Sequence, residues 1–109
     1  MSYNVKTIDA FERQAKRLFK KYASLKEELA DLINDLKQNP EQGSSIGNGC
    51  YKLRLSTASK GKGKAGGARI ITTFVITENS VYLLTIYDKS EKTNITSKEI
   101  KELLSTILS

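Results

Sequence analysis

The chain has 109 residues, enough for one hydrophobic core and too few for two independent ones, so a single domain over residues 1–109 is predicted. Its 18 basic residues against 12 acids leave a net charge of +6; a lone cysteine excludes an intrachain disulfide, and the lack of histidine leaves a zinc site almost nothing to bind with. Hydrophobic residues make up 39% of the chain at regular spacing, which argues against disorder, and no apolar run approaches the roughly 20 residues of a membrane span, so a reducing cytoplasm fits and neither secretion nor insertion is indicated.

In chain order, "SYNVKTI" reads as a short strand with Tyr3 and Val5 on one side. "DAFERQAKRLFKKY" carries a capping-box pair, Asp9 and Glu12, and an apolar stripe of Phe11, Ala15, Leu18, Phe19 and Tyr22 at helical spacing. Its other face holds Arg13, Lys16, Arg17, Lys20 and Lys21, read as a solvated exterior. "SLKEELADLINDLKQNP" repeats the pattern with Ser24 and Glu27 as its box and Leu25, Leu29, Leu32, Ile33 and Leu36 as its stripe; Pro40 ends it. The two helices are predicted to form a hairpin lying on a sheet.

After the turn-rich linker "NPEQGSSIGNG" the period falls from 3.6 to 2, with Tyr51, Leu53 and Leu55 alternating with Lys52 and Arg54. "GARIITTFVI" and "SVYLLTIY" are two further strands joined by "TEN", and "TSKEIKELLSTIL" closes the chain as a helix with a Thr96–Glu99 box and an apolar face of Ile100, Leu103, Leu104, Ile107 and Leu108. The order β-α-α-β-β-β-α predicts an α+β fold with a mainly antiparallel sheet, an N-terminal helical hairpin and a C-terminal helix.

The charge is concentrated in one place. Between Glu41 and Glu78 there is no acid, and this window holds Lys52, Arg54, Lys60, Lys62, Lys64 and Arg69, while the remaining 12 basic residues meet 12 acids. A one-residue slip would turn core residues into water, so register can be argued from burial. Leu53 then faces Ile70 and Arg54 faces Arg69; on the next hairpin Ile70 pairs with Ile86, Thr72 with Leu84 and Phe74 with Tyr82 around a Thr77–Asn79 turn. Tyr87 falls across from Arg69, so Lys52, Arg54, Arg69 and Tyr87 are predicted to share one exposed sheet surface beside Lys60, Lys62 and Lys64. Two guanidiniums side by side suit a phosphate between them; alternatively they splay outward and cover apolar surface with their stems. The glycines at 61, 63, 66 and 67 permit close backbone approach, but no Walker loop is formed, because a strand follows the run. Asp88 and Glu91 read as surface charge after a strand, and Cys50 as a packing residue with no histidine to activate it.

"YKLRLSTASKGKGKAGGARIITTFV" followed by "VYLLTIYDKSEKTNITSKEIKELL" resembles the RelE/ParE superfamily of toxins from bacterial type II toxin–antitoxin modules, most closely its HigB- and RelE-like branch. The resemblance covers nearly the whole chain, and "GKGKAGGAR" with "IYDKSEK" is its most specific part. It implies a metal-independent endoribonuclease, needing no cofactor, that cuts messenger RNA in the ribosomal A site and is held by a cognate antitoxin protein. By the family's motif, Lys52, Arg54, Arg69 and Tyr87 match the positions expected to be catalytic, and Lys62 and Lys64 lie where the family places RNA contacts; Lys60, Lys89 and Lys92 complete the basic set expected to touch RNA. The sequence departs from the best-known RelE pattern at Ser90, where an arginine is usual, and at Asn94 or Ile95, where an aromatic residue is usual. A gyrase-directed ParE-like toxin and a noncatalytic nucleic-acid-binding module are the rival readings.

Overall fold

In the computed structural model, which describes residues 2–55, 67–92 and 94–108, a five-stranded sheet carries helices on both faces. The chain runs through β1 (Asn4–Thr7), α1 (Asp9–Lys21), α2 (Leu25–Gln38), β2 (Ser44–Gly47), β3 (Cys50–Leu55), β4 (Ala68–Val75), β5 (Ser80–Asp88) and α3 (Ser97–Leu108). The strand order is β1-β5-β4-β3-β2; β1 lies parallel to β5 and the other neighbours are antiparallel, which gives the α+β arrangement expected from the pattern and the RelE-like topology that the resemblance implies.

The helical stripes face where their spacing directs them. Phe11, Ala15 and Leu18 of α1 and Leu25, Leu29, Leu32 and Leu36 of α2 are buried against Leu53, Leu55, Ile70, Leu83 and Ile86. Acids in the first turn of α1 and lysines in its last turn complement the helix dipole. Of the three capping boxes, only that of α3 forms: Thr96 N–H donates to Glu99 Oε1 at 2.9 Å and Glu99 N–H to Thr96 Oγ1 at 3.1 Å. At α1 the cap position is Ile8, and the Glu12 carboxylate accepts from Thr7 Oγ1 instead; Ser24 caps α2 without a side-chain capping bond.

Two local features depart from the sequence reading. The linker contains the extra strand β2, joined to β3 by a two-residue turn at Asn48 and Gly49, with φ of 57° and 72°. Positive φ at both central residues is the geometry that an Asn-Gly pair adopts most readily. On β5, the register shifts between Ile71 and Thr72, so Thr72 pairs with Leu83 and Phe74 with Val81, one residue from the strict alternation. Leu83 packs under α1 and α2 and Leu84 under α3, as strand alternation requires, and the extra residue resets that alternation so that Ile86 returns to the first side and Tyr87 to the second.

Candidate functional site

Antiparallel pairing sets Arg54 opposite Arg69 and Arg69 opposite Tyr87, as the burial argument predicts. Leu53 and Ile70 belong to the core beneath α1 and α2, whereas Cys50, Ile71 and Tyr87 belong to the cluster beneath α3. Side chains alternate along a strand, so Lys52, Arg54, Arg69 and Tyr87 all occupy the α3 face. That surface is not open throughout. Arg54 is exposed and Lys52 half-buried, but Arg69 is only 6% and Tyr87 only 5% accessible, and over Tyr87 α3 lays Ile100 and its half-buried neighbours.

Lys52, Arg54 and Arg69 line a common cleft of about 320 Å³ together with Gly43, Ser44 and Leu53. Arg69 Nη1 donates to the Ala68 carbonyl at 3.3 Å, which fixes one arm of its guanidinium. Like charges directly opposite on neighbouring strands repel, and an anion seated between them reverses the sign of that term. The cleft therefore has the charge and the planar donors to hold a phosphate. Lys60, Lys62 and Lys64 lie outside the described residues.

Tyr87 serves a different wall. Its ring lines a second cleft of about 380 Å³ with Arg13 and Arg17 of α1 and Glu99 and Leu103 of α3. The hydroxyl is buried and has no hydrogen-bond partner among the described residues. Burial pushes the phenol's pKa up, Arg69 opposes this and Glu99 adds to it, so the phenol stays protonated at neutral pH. It can donate a proton or stack; it is a poor base.

The turn after β5 is tied down rather than solvated. Asp88 is 1% accessible and accepts from Tyr22 Oη, from Lys21 Nζ at 3.3 Å, and from the Ser90 N–H and Oγ at 3.0 and 2.8 Å. This corrects its reading as surface charge: the end of α1 brings Tyr22 and Lys21 over it, a meeting of residues 66 and 67 positions apart. Glu91, the other acid of that reading, is exposed and bridges Arg17 at 3.0 Å and Lys21 at 2.9 Å; Arg17 foremost, then Lys21, holds its carboxyl below the usual range. Lys21 is raised in turn, chiefly by Glu91 and then by Asp88. Lys89 N–H donates to Gly67 O at 3.1 Å, linking this turn to the entry of β4 just before Arg69. Of the two lysines expected to touch RNA here, Lys92 is paired with Glu99, while half-buried Lys89 has no ion pair among the described residues.

Two cleft residues escaped the sequence reading, Gly43 and Ser44, both on the unrecognised β2 side. Gly43 has φ +104°, and a Cβ there would stand 2.7 Å from the Lys52 carbonyl, so only glycine lets β2 close on β3. The Asn48-Gly49 pair was the signal that could have revealed this strand. Cys50 is fully buried and its thiol is pushed up by that burial, consistent with a packing role. No group of three His, Cys, Asp or Glu side chains that could hold a metal occurs among the described residues, and none of their helices is long and apolar enough to cross a membrane.

A family model described as the RelE toxin of the RelE / RelB toxin–antitoxin system matches residues 8–107. Among solved structures, the chain is similar to an E. coli toxin RelE double mutant in the free state, at 16% identity and a TM-score of 0.63, with 98% of this chain and 99% of that one covered. It is similar to the intact E. coli RelBE toxin–antitoxin complex at 15% identity and 0.61, covering 78% and 94%. A metal-bound toxin from Helicobacter pylori gives 18% identity and 0.53, covering 83% and 98%. At these identities the structural likeness is one of fold.

Proposed function

The chain belongs to the RelE family of toxins, and on that footing we propose that it is a ribosome-dependent endoribonuclease of the HigB/RelE-like branch that halts translation by cutting messenger RNA in the A site. The observation that carries this reading is the cleft shared by Lys52, Arg54 and Arg69. Residues 1–109 act as one toxin domain in the cytoplasm. Its partners are the ribosome, messenger RNA and a cognate antitoxin, the last supported by the likeness to the RelBE complex.

Cleavage proceeds by attack of a ribose 2′-oxygen on the adjacent phosphorus. The P–O5′ bond breaks, the 2′-hydroxyl proton leaves, the 5′-oxygen takes up a proton, and the products are a 2′,3′-cyclic phosphate and a 5′-hydroxyl end. Arg69 and Arg54 meet the charge that grows on the nonbridging oxygens, where preorganised donors act most strongly. Lys52 orients the phosphate or, as the free amine, assists proton removal. The Tyr87 phenol, kept neutral by burial, stacks on the substrate or supplies the proton to the leaving oxygen once the α3 side opens to it. Lys89 and Lys92, with Lys60, Lys62 and Lys64, hold the RNA backbone; for Lys92 this means exchanging Glu99 for phosphate. The step needs no metal, and the proton chemistry falls to lysine, tyrosine and carboxylates because the chain has no histidine.

The sealed Tyr87 hydroxyl and Ser90 at the place of a usual arginine favour one rival, a protein that binds nucleic acid on the same surface without cutting it. Brief induction of the wild type and of Arg69→Ala, with RNA ends mapped on translated messages, separates the two. The wild type is expected to give new A-site ends bearing cyclic phosphate, and Arg69→Ala to lower turnover by roughly 10²- to 10³-fold, the cost of one transition-state donor. Binding without new ends supports the noncatalytic reading; DNA damage with intact message supports gyrase as target.

A further inference from the structure

The cationic cleft has an imbalance of hydrogen-bonding character. Charged lysine and arginine side chains are donors only, with no lone pair to offer. While they hold a phosphate as cations, Lys52, Arg54 and Arg69 therefore satisfy its oxygens and can accept nothing from a ligand. Among the described lining residues, Ser44 is the one whose side chain can accept a hydrogen bond.

Its placement follows from β2. Ser44 pairs with Lys52 across the β2–β3 ladder, so the two side chains leave the sheet on the same face, which is the face of Arg54 and Arg69. Gly43 brings the strand in against the Lys52 carbonyl, where any side chain would hold it away. Ser44 is exposed, and its hydroxyl makes no hydrogen bond among the described residues. It is thus available to a ligand without displacing a partner or moving α3.

An RNA strand differs from DNA by a 2′-hydroxyl, a group that donates a hydrogen bond as well as accepting one, and a protein separates the two polymers through it. We infer that Ser44 is a specificity-determining residue that accepts a hydrogen bond from a ribose 2′-hydroxyl while Lys52, Arg54 and Arg69 hold the neighbouring phosphate, so that the cleft selects RNA over DNA. This rests on the ribonuclease reading above and assigns to β2 a part in substrate choice. Phosphate affinity comes from the three cations and is blind to the sugar; sugar discrimination comes from one neutral side chain.

The test is equilibrium binding of the purified full chain at low salt to three fluorescent pentanucleotides of one sequence: RNA, its 2′-deoxy form and its 2′-O-methyl form, with strand integrity checked on a gel. The methylated form can accept at the 2′ position and cannot donate. The wild type is expected to bind RNA roughly five- to tenfold more tightly than either analogue, the range of one neutral hydrogen bond. Ser44→Ala is expected to bring the three ligands within about twofold of each other, with affinity for the deoxy strand unchanged, and Ser44→Thr to keep the preference. A full RNA preference in Ser44→Ala, or a 2′-O-methyl strand bound as well as RNA by the wild type, overturns the role of Ser44 and leaves the ribonuclease reading standing. A wild type that binds none of the three overturns RNA recognition by the cleft, and this inference with it.

Discussion

Across one sheet, the side under α1 and α2 buries Leu18, Leu25, Leu36, Ile70 and Ile86 completely, whereas the side under α3 sets Arg54 opposite Arg69 and leaves the Tyr87 hydroxyl without a partner among the described residues. The first side gains from apolar burial wherever two side chains meet. The second gives up part of that gain: like charges oppose each other, and a polar group is dehydrated without compensation. Such local costs gather where a surface is kept for a ligand. The same strands serve both purposes because successive residues point to opposite faces, so β3 and β4 stabilise the fold with Leu53 and Ile70 and present charge with Arg54 and Arg69.

The largest test of this contrast is truncation of one leucine on each side. Leu18→Ala, at a fully buried position, is expected to cost about 3 kcal/mol in urea unfolding, and Leu104→Ala, half-buried on the sheet side of α3, about 1 kcal/mol. Equal losses would mean that the two faces contribute alike. Next in size is Arg54→Ala, for which activity and stability should part company. Message cleavage is expected to fall by about tenfold or more, while stability rises or holds within about 0.5 kcal/mol as the charge opposite Arg69 is removed. A clear loss of stability would show that the arginine stem packs the sheet and that repulsion is not the governing term.

The smallest effect concerns the turn at the site's edge. Arg17 and Lys21 depress the Glu91 pKa, so the stability from these pairs is present above the ordinary carboxylate range and is lost as pH falls through the lower folded value. Urea midpoints measured from pH 6 down to pH 3 should therefore drop less steeply in Glu91→Gln than in the wild type; parallel slopes would remove Glu91 from the acid response.

Much of this was legible in the chain. The leucine stripes of α1 and α2 and the alternation around Leu53 depend on local spacing, and the pairings of Arg54 with Arg69 and Arg69 with Tyr87 follow once Leu53 and Ile70 must both be buried. The β5 bulge was not legible, because no local pattern announces that one residue drops out of the pairing and resets which side Ile86 and Tyr87 enter. Nor was the burial of Asp88, whose partners Tyr22 and Lys21 are distant in the chain.

By itself the sequence determined the order of helices and strands, the family, and the concentration of positive charge in one third of the chain, because periodicity, motif and composition are properties of neighbouring residues. Only the tertiary structure decided that Arg69 is buried and α3 closes over Tyr87, that Tyr87 lines a cleft apart from that of Lys52, Arg54 and Arg69, and that β2 brings Ser44 beside Lys52. These outcomes depend on how separate elements pack, and packing is settled by contacts between segments that no local pattern encodes.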